Sequence, residues 1–374
     1  MIVTTLPISY VAGRPVRILS SSIVSSILST VSGVKVCFPL NTVSLRGSDK
    51  VLQNIKLADF RECLERFGVL NETSMVFADG SDEVVQNSNE LLTDALSSGL
   101  CFFQEALISH CECGRVEIPS NVLSEVRSDT HQSMYSSSKG VLVCRICGSE
   151  LDKSLIQGLF YRQARVGIPT VLPMNHEGRL SGILNSLVGK NFYISRSFRS
   201  MSEGLSLDGC GSLDPDFHSA LYLVHLWDLH QENLVLVIGI NHFYRASRAY
   251  AIAKSFVPEL DITIVAHPMF SSENNFMSMP VNDAINLMGS KTAVKLLFGT
   301  MLQWTRYDSY CSVKDIERVA SCKIRQNHDE KQNIPFDETI LKKVNRNAYL
   351  SLLKKVKNSH DLDGHELALY LAIQ

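Results

Sequence analysis

The first forty residues restrict the possible architectures more than any other stretch. An apolar, β-branched run from Met1 to Pro7 leads into a loop containing Gly13 and Pro15. An amphipathic helical stretch follows from Ser20 to Val31, then a second apolar run from Val34 to Pro39. Strand, loop, helix and strand at this spacing make a βαβ unit. Two parallel strands need such a crossover, so the pattern predicts a parallel sheet with a ligand crevice at the carboxyl ends of its strands.

The pattern returns later in the chain. A buried strand is predicted over Asn233 to Ile238, running through Gly239 into an alanine-rich helix from Phe243 to Phe256, with a further strand from Asp261 to Ala266. That is a second βαβ half, and a helix over Lys56 to Phe67 extends the first. The fold class is therefore α/β, Rossmann-like, with two βαβ halves. The polar stretch Ser200 to Pro215 reads as a surface loop. The tail from Asp283 reads as helical, with Asp337 capping a helix from Thr339 to Lys357. Its cations Lys342, Lys343, Arg346, Lys354, Lys355 and Lys357 form either a solvated face or an RNA-backbone contact.

Between the halves the chain changes character. Cys144-Arg145-Ile146-Cys147-Gly148 is a C-x-x-C-G knuckle, in which amides after the first cysteine can point at its sulfur and the glycine allows a tight turn. A second half-site is available at His110-Cys111-Glu112-Cys113-Gly114, through either Cys111 with Cys113 or His110 with Cys113. Thiolate and imidazole in four-coordinate geometry favour zinc, and four protein ligands leave no open position, so the zinc would be structural. The two knuckles bracket a serine-rich segment, Ser120 to Gly140, which reads as part of a small inserted domain. The expected divisions are 1–106 and 163–282 for the two catalytic halves, 107–162 for the knuckle insertion and 283–374 for the helical tail.

Composition excludes several roles. The 374 residues are 45% hydrophobic and 20% charged, a globular balance, and a formal net charge of -2 gives no whole-chain attraction to DNA or anionic membrane. A tRNA contact would need a local basic patch. No apolar run approaches the roughly 18 to 20 residues of a membrane span, and the chain opens on a strand-like run instead of a signal sequence. The reading is a cytoplasmic protein, in which ten cysteines suit a metal site and buried thiols better than disulfides.

The opening Thr4-Thr5-Leu6-Pro7-Ile8-Ser9-Tyr10-Val11-Ala12-Gly13-Arg14-Pro15 resembles the start of methionyl-tRNA synthetases, where a T-x-P-I-x-Y-V-N-G-x-P type strand leads into the HIGH signature. Asn191-Phe192-Tyr193-Ile194-Ser195-Arg196 resembles the family's W-x-I-S-R segment. Gly239-Ile240-Asn241 falls where the family has the G-K-D that contacts the ATP ribose, and His267-Pro268 resembles its H-G. Phe276-Met277-Ser278-Met279-Pro280-Val281-Asn282-Asp283-Ala284-Ile285 aligns without a gap on K-M-S-K-S-x-G-N-x-I. The resemblance runs from Met1 to Phe298 in the family's order, with the knuckle where the family carries its zinc-bearing connective insertion. It implies a class I synthetase catalytic fold, with Tyr10, Gly13, Gly239, Asn241 and His267 around the ligand. The stretch after Val281 has room for a stem-contacting helical piece but not for a full helical anticodon domain.

The signatures themselves depart from the family. Val16-Arg17-Ile18-Leu19 stands at the HIGH positions, Phe276 and Met279 at the two lysines, and Val43 at the aspartate that anchors the amino acid's ammonium group. Activation gathers negative charge at the α-phosphate of ATP, and losing one fixed donor commonly costs about 10²- to 10³-fold in rate. The expectation is a binding or regulatory paralogue that has lost methionine activation and tRNA charging. Arg17, whose guanidinium can hold two phosphate oxygens, is the best argument for retained ATP binding; as a surface arginine it would do nothing of the kind. The alternative is a repurposed amino-acid-activating ligase of small-molecule biosynthesis, supported by the crevice, Ser195, Arg196 and Asn241. A third reading is a tRNA-binding module using the basic tail. His225, His230 and His242 with Asp228 read as packed or capping residues, and Ser195 lacks the elbow of an exposed nucleophile.

Overall fold

The computed structural model describes residues 1–9, 15–28, 34–42, 57–70, 72–114, 116–120, 135–138, 141–198, 206–207, 211–289, 294, 297–299, 301–302 and 306–321. A six-stranded, wholly parallel sheet forms its centre, from β1 (Ile2–Thr5), β2 (Lys35–Leu40), β3 (Ser74–Ala78), β4 (Thr170–Leu172), β5 (Leu234–Gly239) and β6 (Ile262–His267). Their spatial order is β3-β2-β1-β5-β6-β4. The helices are α1 (Ser20–Leu28), α2 (Leu57–Arg66), α3 (Asp82–Ser97), α4 (Glu177–Leu187), α5 (Pro215–His230), α6 (Phe243–Phe256), α7 (Val281–Met288) and α8 (Val313–Ser321). The two predicted βαβ units are present, as β1-α1-β2 and β5-α6-β6, and meet at the centre of the sheet where β1 pairs with β5.

Period-two alternation in the strands feeds two cores, one on each face. Ile2, Leu234, Leu236, Ile238, Ile262 and Ile264 face the layer holding α5 and α6. Val3, Val235, Val237 and Val265 face the layer holding α1 and α2. A sheet covered on both sides explains why β5 is apolar throughout, with all six of its residues buried. It also explains α5, buried on every side from Phe217 to Leu226.

The insertion is built on a long antiparallel pair, Cys101–His110 against Asp152–Arg162, flanked by Glu117–Pro119 and Asn191–Tyr193. The pair carries the knuckles at its far end.

Two expectations need correction. The segment read as a surface loop contains strand Gly211–Leu213, paired with Ser195–Arg196 and Ser206–Leu207, and ends in the cap of α5. The tail read as helical contains a strand, Asp308–Cys311, parallel to Met269–Ser272. The sequence reading did not include β3 or α3. The helix expected over 339–357, with its lysines, lies outside the described residues.

Candidate functional site

Reversal of strand order between β1 and β5 opens a crevice at their carboxyl ends, the position where doubly wound sheets bind ligands. A cleft of ≈ 520 Å³ occupies it. Thr5 at the end of β1, Asn41 just beyond β2, Gly239 and Asn241 after β5, and His267 at the end of β6 all line it. Arg17 lines it too, as the exposed residue of a 3₁₀ turn between β1 and α1. Tyr10 and Gly13, read as ligand neighbours, lie outside the described residues, as does Val43.

The glycine at 239 has a local reason. A Cβ there would stand 2.7 Å from Oδ1 of Asn241 and 3.4 Å from Cε1 of His267. The turn thus lets the Asn241 side chain fold back over the end of β5.

His267 lines the cleft with both ring nitrogens engaged inside the protein. Nδ1 donates to the carbonyl of Pro268 at 2.8 Å, which leaves Nε2 to accept the Ser21 hydroxyl at 2.9 Å. The ring also stacks on Phe270, with centroids 5.2 Å apart. Burial pulls its pKa down to about 4, so at neutral pH it adds no charge to the cleft.

The two segments standing at the signature positions pack into the core. Val16 and Leu19 are buried, as are Phe276 and Met277, and all four belong to one apolar cluster. Met279 is half-buried against the same cluster.

Ser195 and Arg196, named in support of the ligase alternative, do not line the cleft. Ser195 is buried and its Oγ accepts the amide of Leu159 at 3.0 Å. Arg196 donates to Asp214 at 2.5 Å and to the carbonyl of Glu117 at 3.1 Å. Asp214 also caps α5 and faces Arg248 at 3.6 Å. Asp216 binds Arg245 at 2.8 Å and Arg248 at 3.2 Å. Burial alone would raise the Asp216 carboxyl, but these two guanidiniums hold it below the usual range. The network joins the insertion, α5 and α6, and ends at Arg245 in the cleft wall. The sequence reading missed it, although Asp214-Pro215 is a cap followed by proline at the first helical position, a legible helix start.

At the far end of the insertion, the sulfurs of Cys111, Cys113, Cys144 and Cys147 lie within 4.8 Å of one another. Sulfurs at tetrahedral corners around a metal with bonds near 2.3 Å stand about 3.8 Å apart. Here Cys113 to Cys144 is 3.8 Å and Cys111 to Cys113 is 3.3 Å. The four residues therefore fit a metal ion. Amides of Val116 and Ile146 point at the sulfurs of Cys111 and Cys144. Gly114 and Gly148 make the knuckle turns at φ of 65° and 73°, which disfavour any side chain. His110 stands apart, bonded to Ser154 at 2.9 Å and stacked on Phe198; the geometry favours Cys111 over it.

No protein-family model matches the sequence, and no curated protein does. Solved structures match over its whole length. Mycobacterium tuberculosis methionyl-tRNA synthetase in complex with methionyl-adenylate aligns at TM-score 0.65 and 13% identity, over 100% of this chain and 80% of the other. The chain has the fold of a class I methionyl-tRNA synthetase. A second structure of that mycobacterial enzyme, bound by methionyl-adenylate, aligns at TM-score 0.62 and 14% identity, over 99% of this chain and 81% of the other. Its apo form aligns at 0.59 and 14%, over 100% and 77%. The shared fold surrounds the cleft that Arg17, Asn41, Asn241 and His267 line.

Proposed function

We propose that this chain is a synthetase-fold protein that binds a small ligand in its cleft, as a binding or regulatory paralogue, and has lost ATP-dependent methionine activation and tRNA charging. One observation carries the reading. At the first lysine position of the second signature, Phe276 is fully buried in the apolar cluster that also holds Val16 and Leu19. A side chain locked in the core cannot swing out to meet a phosphate, so the replacement has a structural use that excludes the catalytic one. The lost donors would each have contributed about 10²- to 10³-fold.

Cys111, Cys113, Cys144 and Cys147 are proposed to hold a structural zinc, which would supply cross-linking of the insertion and no chemistry at the cleft. Such a thiolate site suits a reducing compartment, and the cytoplasm is the proposed setting. No helix among the described residues is long and apolar enough to cross a membrane.

The test is amino-acid-dependent ATP–pyrophosphate exchange with the full panel of amino acids, beside calorimetry with magnesium-ATP. No exchange above background is expected. Exchange driven by one amino acid would overturn the proposal and favour a repurposed ligase with that substrate.

A further inference from the structure

We infer that the cleft takes an anionic ligand without an amino group, an organic carboxylate or a phosphate monoester, and discriminates against free amino acids. This rests on the non-catalytic reading above and specifies its ligand.

Charge is the first argument. Among the described residues lining the cleft there is no Asp or Glu, whereas Arg17 and Arg245 both contribute to its wall. An ammonium group moved from water into such a site would lose its hydration with no carboxylate to replace it. The carboxylates behind the wall are already engaged. Asp216 holds Arg245 and Arg248, and Asp79 accepts the amide and the hydroxyl of Thr42 through Oδ1 while its Oδ2 faces His218 Nε2 at 3.4 Å. Among the described residues Arg17 makes no ion pair, so none of them compensates its charge in the wall.

The backbone has the same sign. Ser20 and Ser21 open α1, and Asn241 and His242 lead into α6, so two helices of 9 and 14 residues present their N-terminal ends to one cleft. Neither carries an acidic residue in its first turn. The first amide of each helix is used by the 3₁₀ turn before it, Ser20 to the carbonyl of Arg17 and Phe243 to that of Ile240, so it is the helix dipole at such ends that favours an anion.

A separate observation points to a ligand. Thr5 lines the cleft and is 1% exposed, and its hydroxyl has no hydrogen-bond partner among the described residues. Buried hydroxyls are rarely left unmatched. A carboxylate or phosphate oxygen would accept its proton.

The experiment compares matched pairs on the full chain by calorimetry and thermal shift: methionine with 4-(methylsulfanyl)butanoate, phenylalanine with 3-phenylpropanoate, and adenosine with AMP. In at least one pair the anion lacking an amine at its acid end should bind about tenfold more tightly than its mate, a difference of about 1.4 kcal/mol. Arg17→Ala should weaken that anion about tenfold. Thr5→Val, nearly the same shape, should weaken it about fivefold without lowering the melting temperature of the free protein, because no internal hydrogen bond is lost. The AMP pair separates a phosphate ligand from a carboxylate one. An amino acid binding as tightly as its deaminated counterpart would overturn the inference, as would no binding of any of the three anions at about 10 mM, a limit for weak ligands. Pyrophosphate exchange is scored in its own reaction, so failure of the non-catalytic reading is distinguishable from failure of this one.

Discussion

Val16 and Met279 meet backbone to backbone, the amide of the first donating to the carbonyl of the second at 3.1 Å. Pro15 and Pro280 form a β-bridge beside them. The two segments standing where a synthetase carries its phosphate-handling signatures are therefore stitched to each other, with Phe276 buried beneath. Restoring lysine at 276 would bury an ammonium group among apolar side chains. Phe276→Ala should cost about 3–5 kcal/mol of stability and Phe276→Lys at least as much. Met279→Lys, at a half-buried position, should cost only about 1 kcal/mol. Urea denaturation checks the ranking, and a stable Phe276→Lys protein that gains ATP binding would contradict it.

What could be read from the sequence was local. The strand-turn-helix at Gly239 and Asn241 announces itself within a dozen residues, and the knuckles do so by spacing, because each sulfur pair is set by one turn. The Glu117, Arg196, Asp214 and Arg248 network is different. Its members come from four segments, and Arg196 meets Glu117 across 79 positions of chain. Nothing local marks Glu117 as the partner of Arg196, so the Ile-Ser-Arg run is legible in the sequence while its role in the network is not. Strand Asp308–Cys311 is illegible for a similar reason: the strand it pairs with lies about forty residues earlier, at Met269–Ser272.

Acid should destabilise the protein through His267. The unfolded imidazole takes up its proton near pH 6.5, whereas burial holds the folded one neutral down to about 4. Between those values the unfolded state binds more protons, so this stability is present above pH 6.5 and lost as pH falls toward 4. The loss should total about 3 kcal/mol. Burial shifts His176, His225 and His230 in the same direction. Denaturation at pH 7.5 and pH 4.5 should show a smaller difference in His267→Gln than in the parent. An equal difference in both would remove His267 as the cause.

Metal analysis of the purified protein should find about one zinc per chain. Cys144→Ser, which replaces a buried ligand, should reduce this to a small fraction and expose the remaining knuckle thiols to alkylation. Of the four, Cys147 is the exposed one. Burial alone would raise its thiol, but hydrogen bonds from the Ser149 hydroxyl and amide, and from Cys113 and Cys144, bring it down to about 6. Without metal it should therefore be the first to react at neutral pH. Full zinc content in the Cys144→Ser protein would be incompatible with a four-cysteine site.

Glu117 should prove the costliest single carboxylate of the insertion. It is 2% exposed, and its two oxygens accept from the Tyr193 hydroxyl at 2.5 Å and the amides of Ser197 and Phe198 at 2.6 and 3.2 Å. Removing the carboxylate strips two amides of this acceptor and leaves the Tyr193 hydroxyl only the Ser197 hydroxyl at 3.4 Å, each loss at about 1–3 kcal/mol less whatever water recovers, so Glu117→Ala should cost about 3–5 kcal/mol. Glu117→Gln keeps the shape but offers one acceptor oxygen in place of two, and should cost roughly half as much. The side chain lies one residue beyond Val116, whose amide points at the sulfur of Cys111. Loss of Glu117 should therefore loosen the knuckle as well, read as faster loss of zinc to a chelator. If Glu117→Ala loses stability while releasing zinc no faster than the parent, the knuckle and the network are energetically separate.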